Sequence, residues 1–118
     1  ETKTSEIITS TGKATITFPP RSMKALLDSN CQQSIFAIAR AAGILGAKKT
    51  QDLIPSSFGI IEEVNLDIKL EGKKGVIVCD VKGKKNLKTA AMTGAALAAL
   101  VIIDELKEYN QLKIDSVE

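Results

Sequence analysis

The chain of 118 residues contains no histidine, no tryptophan and only four aromatic side chains. Without histidine, a Ser-His-Asp triad and a Cys-His pair are both excluded. Four aromatic residues are too few to stack RNA bases across a sheet, which makes nucleic acid an unfavoured partner. The core must therefore consist mainly of Ile, Leu, Val and Ala. The aromatic residues are Phe18, Phe36, Phe58 and Tyr109.

The chain also has few cysteines, no long apolar run and only a small excess of positive charge. Cys31 and Cys79 fit neither a disulfide framework nor a CxxC metal spacing, so we expect a reduced, cytoplasmic setting, no metal and no cofactor. The longest uncharged run, Thr89 to Ile103, has 15 residues, fewer than the ~20 that span a bilayer. The polar start is not a signal peptide, and we expect no membrane partner. A net charge of +2 requires no polyanionic partner.

Three segments alternate polar and apolar residues with the period of a half-buried strand. They are Lys13 to Phe18, Val64 to Glu71 and the end of the chain from Leu112. The turn Gly72 to Gly75 leads from the second of these into V-I-V-C-D-V, which predicts a β-hairpin.

Three other segments have helical spacing. A short helix is expected from Arg21 to Asn30, after Pro19-Pro20, and a second from Gln32 to Lys48. Gly43 and Gly46 within the second helix predict close packing against another helix. Leu87 to Tyr109 reads as one long helix that is apolar on most sides, which predicts one side against the sheet and another against a second subunit.

The order of strand, two helices, hairpin, long helix and strand predicts an α+β fold close to the ferredoxin-like plan, with helices on one face of an antiparallel sheet. We expect residues 1–118 to form a single domain and residues 1–12 to be a flexible N-terminal arm.

Lysines are concentrated around the hairpin and at the start of the long helix. They fit first a solvated hairpin with charged edges, and as an alternative an anion site for phosphates, because four of them and Gly83 lie near a helix N-terminus. The cluster consists of Lys73, Lys74, Lys82, Lys84, Lys85 and Lys88.

Asp104 and Lys107 are three residues apart on the long helix and so share one face. By residue type alone they are an ordinary surface ion pair. P-loop, GxGxxG and HExxH patterns are absent from the chain.

Two separated motifs resemble those of a known family. The runs A-R-A-A-G-I-L-G-A-K-K-T-Q-D-L-I-P, Ala39 to Pro55, and M-T-G-A-A-L-A-A-L-V-I-I-D-E-L-K, Met92 to Lys107, look like the signatures of the molybdenum cofactor biosynthesis protein C family, MoaC. The resemblance covers about residues 13 to 118. It implies a ferredoxin-like subunit, a homo-oligomer that is either a dimer or a trimer of dimers, and active sites at subunit interfaces. The implied reaction converts 3′,8-cyclo-7,8-dihydro-GTP into cyclic pyranopterin monophosphate with release of pyrophosphate.

The resemblance also assigns roles to individual residues. Lys48 matches the lysine before the family's D-L-I-P loop and Asp52 matches that loop's aspartate; we expect both to bind substrate, together with Lys88. Asp104 and Lys107 match the aspartate and lysine of the family's active site. Lys107 would then be the acid-base or phosphate-contacting group, and Asp104 its orienting partner.

The chain departs from the family at positions that carry chemistry. Where the family has Leu-Cys-His-Pro after D-L-I-P, this chain has Ser56-Ser57-Phe58-Gly59, so Phe58 replaces a histidine. Gln32-Gln33-Ser34 replaces Lys-Gly-Asp, and Asn86 to Ala91 replaces Gly-Val-Glu-Met-Glu-Ala, with Lys88 in place of one carboxylate. The family's Gly/Lys/Ser-rich tail has no counterpart before Glu118.

Each general acid-base group typically contributes roughly 10²–10⁴-fold to rate. The sequence therefore predicts a MoaC-like oligomer that still binds an anionic pterin or GTP-derived phosphate ligand, with impaired or lost catalysis. One alternative is an active, divergent synthase that uses Lys48, Asp104 and Lys107. The other is a non-catalytic, oligomeric anion-binding or regulatory protein.

Overall fold

The computed structural model describes residues 6–54 and 59–118 of the chain. Within these residues it contains four strands and three helices. The helices lie on one side of the sheet. In chain order the elements are β1 (Ile8–Thr17), α1 (Pro20–Leu26), α2 (Ser29–Leu53), β2 (Ile61–Glu71), β3 (Lys74–Gly83), α3 (Lys88–Glu105) and β4 (Ile114–Val117).

The strands form one antiparallel sheet in the order β2-β3-β1-β4. Alternate side chains of each strand point toward the helices, because successive residues of a strand face opposite sides of the sheet. Ala14 and Ile16 on β1 and Ile77 on β3 are fully buried there. This arrangement confirms the predicted ferredoxin-like α+β fold.

The β2–β3 hairpin closes through a two-residue turn at Gly72 and Lys73, since Glu71 already pairs with Lys74. Gly72 has a φ of +62°, a conformation that costs any residue with a Cβ. The tight turn fixes the register of β2 against β3.

Helices α2 and α3 pack closely through small residues, as Gly43 and Gly46 predict. A Cβ added to Gly43 would lie 2.7 Å from the carbonyl oxygen of Gly94 and 3.1 Å from Ala98 Cβ. A Cβ added to Gly94 would lie 3.1 Å from Ala47 Cβ. Because Gly43 faces Ala98 and Ala47 faces Gly94, the two helices run antiparallel. Part of the apolar surface of α3 that was expected to face another subunit is covered by α2 of the same chain, while Leu100 remains half exposed.

Several element boundaries differ from the sequence prediction. Strand β1 begins at Ile8, so residues 8–12 belong to the sheet and not to a flexible arm; they pair with β3 in continuous register. Helix α2 continues past Lys48 to Leu53, with Thr50 buried and its hydroxyl donating to the Gly46 carbonyl at 2.8 Å. Helix α3 ends at Glu105 and not at Tyr109.

Cys79 lies in the core on β3, beneath α3. Burial raises the pKa of its thiol to about 11, and the negative charge of Asp80 adds to the effect. An unfolded cysteine titrates near pH 8.5–9, at roughly its ordinary pKa. The folded protein therefore holds this proton more tightly than the unfolded chain does.

We expect the stability contributed by the Cys79 thiol to be complete below about pH 9 and to be lost as the pH rises to about 11. The loss should reach about 2 kcal/mol at most. Urea unfolding of the parent and the Cys79→Ala variant at about pH 8 and pH 11 measures this loss. The variant is the reference, because the lysines, which also titrate in this range, are the same in both proteins. The parent's advantage over the variant should shrink at the higher pH; an advantage that does not change with pH would contradict the burial effect.

Candidate functional site

Asp104 and Lys107 form an ion pair at the C-terminal end of α3. Lys107 Nζ donates a hydrogen bond to Asp104 Oδ1 at 3.0 Å, and the two side chains are 69% and 71% exposed. At such exposure the pair contributes little to stability. Lys107 lies two residues beyond Glu105, the last residue of α3, and its side chain reaches back to Asp104 in the final turn. The predicted pairing of the two residues thus agrees with the geometry.

The pKa of Lys107 is raised, first by its hydrogen bond to Asp104 and then by the charge of that carboxylate. The charges of Glu108 and Glu105 act in the same direction, while desolvation opposes them. Lys107 is therefore held as an ammonium group at neutral pH. An ammonium group can contact a phosphate, whereas a general acid or a general base would need a pKa near the working pH.

Lys88 is the first residue of α3, at the end of the helix opposite to the ion pair. Its Nζ donates to the carbonyl oxygen of Thr11 on β1, and its backbone N–H donates to Asn86 Oδ1 at 2.8 Å. The helix has no acidic residue in its first turn. The positive end of the helix dipole is thus reinforced by a cation, which favours an anion nearby.

Lys48 and Asp52 are exposed on the last turns of α2. Gly59 lies beside the start of α3, because a Cβ added to it would lie 3.0 Å from Leu87 Cδ2. The backbone N–H of Gly59 also donates to Gln51 Oε1 at 2.9 Å, which places the end of α2 near the start of α3. Lys48, Asp52 and Lys88 therefore lie at the same end of the helix layer.

The five predicted site residues form two groups at opposite ends of α3. From Lys88 to Asp104 the helix advances by sixteen residues, which at 1.5 Å per residue is about 24 Å. One small ligand cannot contact both groups within a single chain. The structure brings Asp104 and Lys107 together, and it does not bring them to Lys48, Asp52 and Lys88.

Comparison with known proteins shows the family of the chain. A model of the MoaC family matches residues 1–118. The chain belongs to the MoaC family.

Two curated relatives carry the name cyclic pyranopterin monophosphate synthase. The protein of Pelobacter propionicus is 36% identical over 105 residues, which make up 84% of this chain and 66% of that protein. The protein of Parvibaculum lavamentivorans is 29% identical over 107 residues, 86% of this chain and 67% of that protein. The chain thus spans about two thirds of the length of either MoaC relative. The predicted membership of the MoaC family is confirmed.

Among the described residues, the departures from the MoaC motifs fall at both ends of the helix layer. Phe58, which stands where the family has histidine, lies outside the described residues, as do Ser56 and Ser57. Gln32 and Gln33 lie near the start of α2, which is at the same end of the layer as the end of α3 because the two helices run antiparallel. Lys88, in place of a carboxylate, is turned toward β1.

Within the described residues, no group of three acidic or cysteine side chains could hold a metal ion. No described helix is long and apolar enough to cross a membrane. Both findings concern residues 6–54 and 59–118 alone.

One feature of this MoaC protein was missed by sequence reasoning. A cleft lies where α1, the start of α2 and the segment after α3 meet. The spacing of Arg21 and Lys24, three residues apart on a short helix, is a signal that could have drawn attention to it. Its lining residues are Arg21, Lys24, Ala25, Asp28, Cys31 and Tyr109.

Proposed function

We propose that this MoaC protein binds a GTP-derived phosphate ligand of molybdenum cofactor biosynthesis between two copies of itself. The observation that carries the proposal is the separation of its two site groups by about 24 Å along α3. Asp104 and Lys107 of one copy would face Lys48, Asp52 and Lys88 of another. Two free thiols and a nucleotide-derived ligand favour a cytoplasmic setting.

Exposed apolar side chains on the helix layer support association between copies. Ile38 and Leu45 on α2 and Leu100 on α3 are each about half exposed, at 50%, 54% and 50%. Covering such side chains on assembly is favourable by about 25 cal/mol for each Å² of apolar surface. A dimer, or a trimer of dimers as in the family, would cover them and complete the site.

The charges of the two groups suit a ligand that carries phosphates. Lys107 is an ammonium group at neutral pH, and Asp104 raises its pKa further. Lys48 and Lys88 supply two further cations beside the positive end of α3. These groups can hold pyrophosphate as it leaves.

The groups that would perform the remaining proton transfers are replaced. Phe58 stands at the position of the family's histidine, and Lys88 at that of one carboxylate. We therefore propose that the chain retains ligand binding and catalyses the family's reaction at least about 10²-fold more slowly than its relatives.

The test is incubation of the purified protein with 3′,8-cyclo-7,8-dihydro-GTP, alongside the Pelobacter propionicus relative. Cyclic pyranopterin monophosphate and pyrophosphate are measured, and substrate binding is followed by calorimetry. We expect binding that weakens with salt, and turnover lower than that of the relative by at least about 10²-fold. Equal turnover would show an active, divergent synthase, and absence of binding at low salt would refute the proposal altogether.

The Lys107→Gln variant should weaken ligand binding by about tenfold, because it removes a charge-assisted hydrogen bond. Lys113→Gln is the matched control, since Lys113 is exposed and belongs to neither site group. Calorimetric titration with pyrophosphate compares the two variants. An equal effect of both substitutions would mean that the protein attracts the anion only through its overall charge.

A further inference from the structure

The cleft between α1, the start of α2 and the segment after α3 has features of a small binding site. Its volume is about 550 Å³, which lies within the range of roughly 300–1,000 Å³ that ligand pockets occupy. None of its lining residues belongs to the two groups of the proposed function.

A hydrogen bond fixes the two walls of the cleft relative to each other. The backbone N–H of Ser22 donates to Asn110 Oδ1 at 2.8 Å, with Ser22 itself fully buried. Ser22 follows Arg21, and Asn110 follows Tyr109. The bond therefore holds the cationic wall, on α1, beside the aromatic wall that follows α3.

Two cations of the cleft are available to a ligand. Arg21 and Lys24 are exposed, and among the described residues neither forms an ion pair with a carboxylate. The carboxylate of Asp28 lines the same cleft but accepts hydrogen bonds from the backbone N–H groups of Asn30 and Cys31, at 3.2 and 3.4 Å. Its charge is thus directed at the positive end of α2, which leaves an excess of positive charge for a ligand.

Tyr109 supplies an aromatic surface beside these cations. It is 40% exposed, so part of its ring remains open to the cleft. An aromatic ring stacks on another aromatic ring with a gain beyond the area that is buried. Arg21 presents a planar guanidinium group that binds phosphate oxygens in pairs.

We propose that this cleft binds a phosphomonoester of an aromatic ring system, such as a nucleoside monophosphate. Arg21 and Lys24 hold the phosphate, whose charge of about −1.5 to −2 at neutral pH matches two cations. The ring lies against Tyr109. The inference does not depend on the proposed function, because the cleft and the site groups share no residue.

The chain carries its own reporter of this cleft. Cys31 lines it and is partly exposed, whereas Cys79 is fully buried with its pKa raised to about 11. Iodoacetamide near neutral pH should therefore alkylate Cys31 and spare Cys79, because the thiolate is the reacting form. Cys79 then serves as an internal check that the protein remains folded.

The experiment measures the rate of Cys31 alkylation by mass spectrometry, with guanosine monophosphate, guanosine or inorganic phosphate present. We expect the monophosphate to slow alkylation at lower concentration than either part alone. The Arg21→Gln/Lys24→Gln double variant should need at least about tenfold more of the monophosphate for the same protection. Protection that is equal in the parent and the double variant, or no protection at millimolar monophosphate, would overturn the proposal.

A second variant separates this cleft from the site of the proposed function. Lys48→Gln/Lys88→Gln removes two cations from the opposite end of the helix layer and should leave protection of Cys31 unchanged. If protection is lost in this variant and kept in Arg21→Gln/Lys24→Gln, the monophosphate binds at the site between two copies. That result would overturn the proposal that it binds in the cleft. Alkylation of Cys79 in any sample marks unfolding, and such a variant is replaced by its single substitutions.

Discussion

Replacement of Gly12 by alanine is expected to lower the free energy of unfolding by about 3 kcal/mol or more. A Cβ added to Gly12 would lie 2.3 Å from the carbonyl carbon and oxygen of Ala91 and 2.5 Å from the backbone nitrogen of Met92. Backbone atoms within a helix cannot rotate away, so α3 would have to lift from β1. Since small proteins have about 5–15 kcal/mol of stability in total, the loss is a large fraction of it.

Gly46→Ala is the matched control for this prediction. A Cβ added there would lie 2.5 Å from Leu97 Cδ2, the end of a flexible side chain that can adopt another rotamer. Alanine also favours the helical state of α2 by about 1 kcal/mol relative to glycine, which offsets the crowding. Urea unfolding followed by far-UV circular dichroism should show a change of less than about 1 kcal/mol. Equal losses in the two variants would contradict the distinction between backbone and side-chain contact.

Mixing two site variants, each of which binds the ligand more weakly than the parent, is expected to restore sites of native affinity. Lys107→Ala removes a cation from one end of α3, and the Lys48→Ala/Lys88→Ala variant removes two from the other. In a mixed dimer with two-fold symmetry, both changes fall in one site and the second site keeps all its native groups. Random reassembly therefore restores about a quarter of the native sites.

The mixture is prepared by dissociating and reassembling the two variants together, and the stoichiometry of pyrophosphate binding is measured by calorimetry. The control is a mixture of the same variants that were assembled separately and never dissociated, in which no site should be restored. If the reassembled mixture binds no more pyrophosphate than the two variants bind separately, the two site groups do not meet between copies.

The residues that sequence reasoning placed correctly are those whose spacing carries local information. The alternation of Val64 to Glu71 and the turn glycine at Gly72 determine the β2–β3 hairpin, because side-chain period and backbone conformation are properties of neighbouring residues. Gly43 and Gly46 likewise predict the tight contact of α2. Asp104 and Lys107 pair because three residues of helix bring them to one face.

The features that were missed depend on residues distant in sequence. Residues 8–12 show no strong alternation, yet they form part of β1 because β3 offers a complete row of hydrogen-bonding partners. The cover of α3 by α2, and the separation of the two site groups, follow from the antiparallel packing of the helices. Tyr109 meets Arg21 in one cleft only because Ser22 and Asn110 are hydrogen-bonded across 88 positions of the chain.

If the ligand binds between two copies as proposed, the distance between the ends of α3 links ligand affinity to protein concentration. A ligand that is held by groups from two copies binds the assembled form alone, so its presence shifts the equilibrium of subunit dissociation toward assembly. Dilution then lowers the apparent affinity, and saturation with ligand raises the temperature at which the subunits separate. A cell could thereby adjust this protein's response through its abundance, with no change at the site itself.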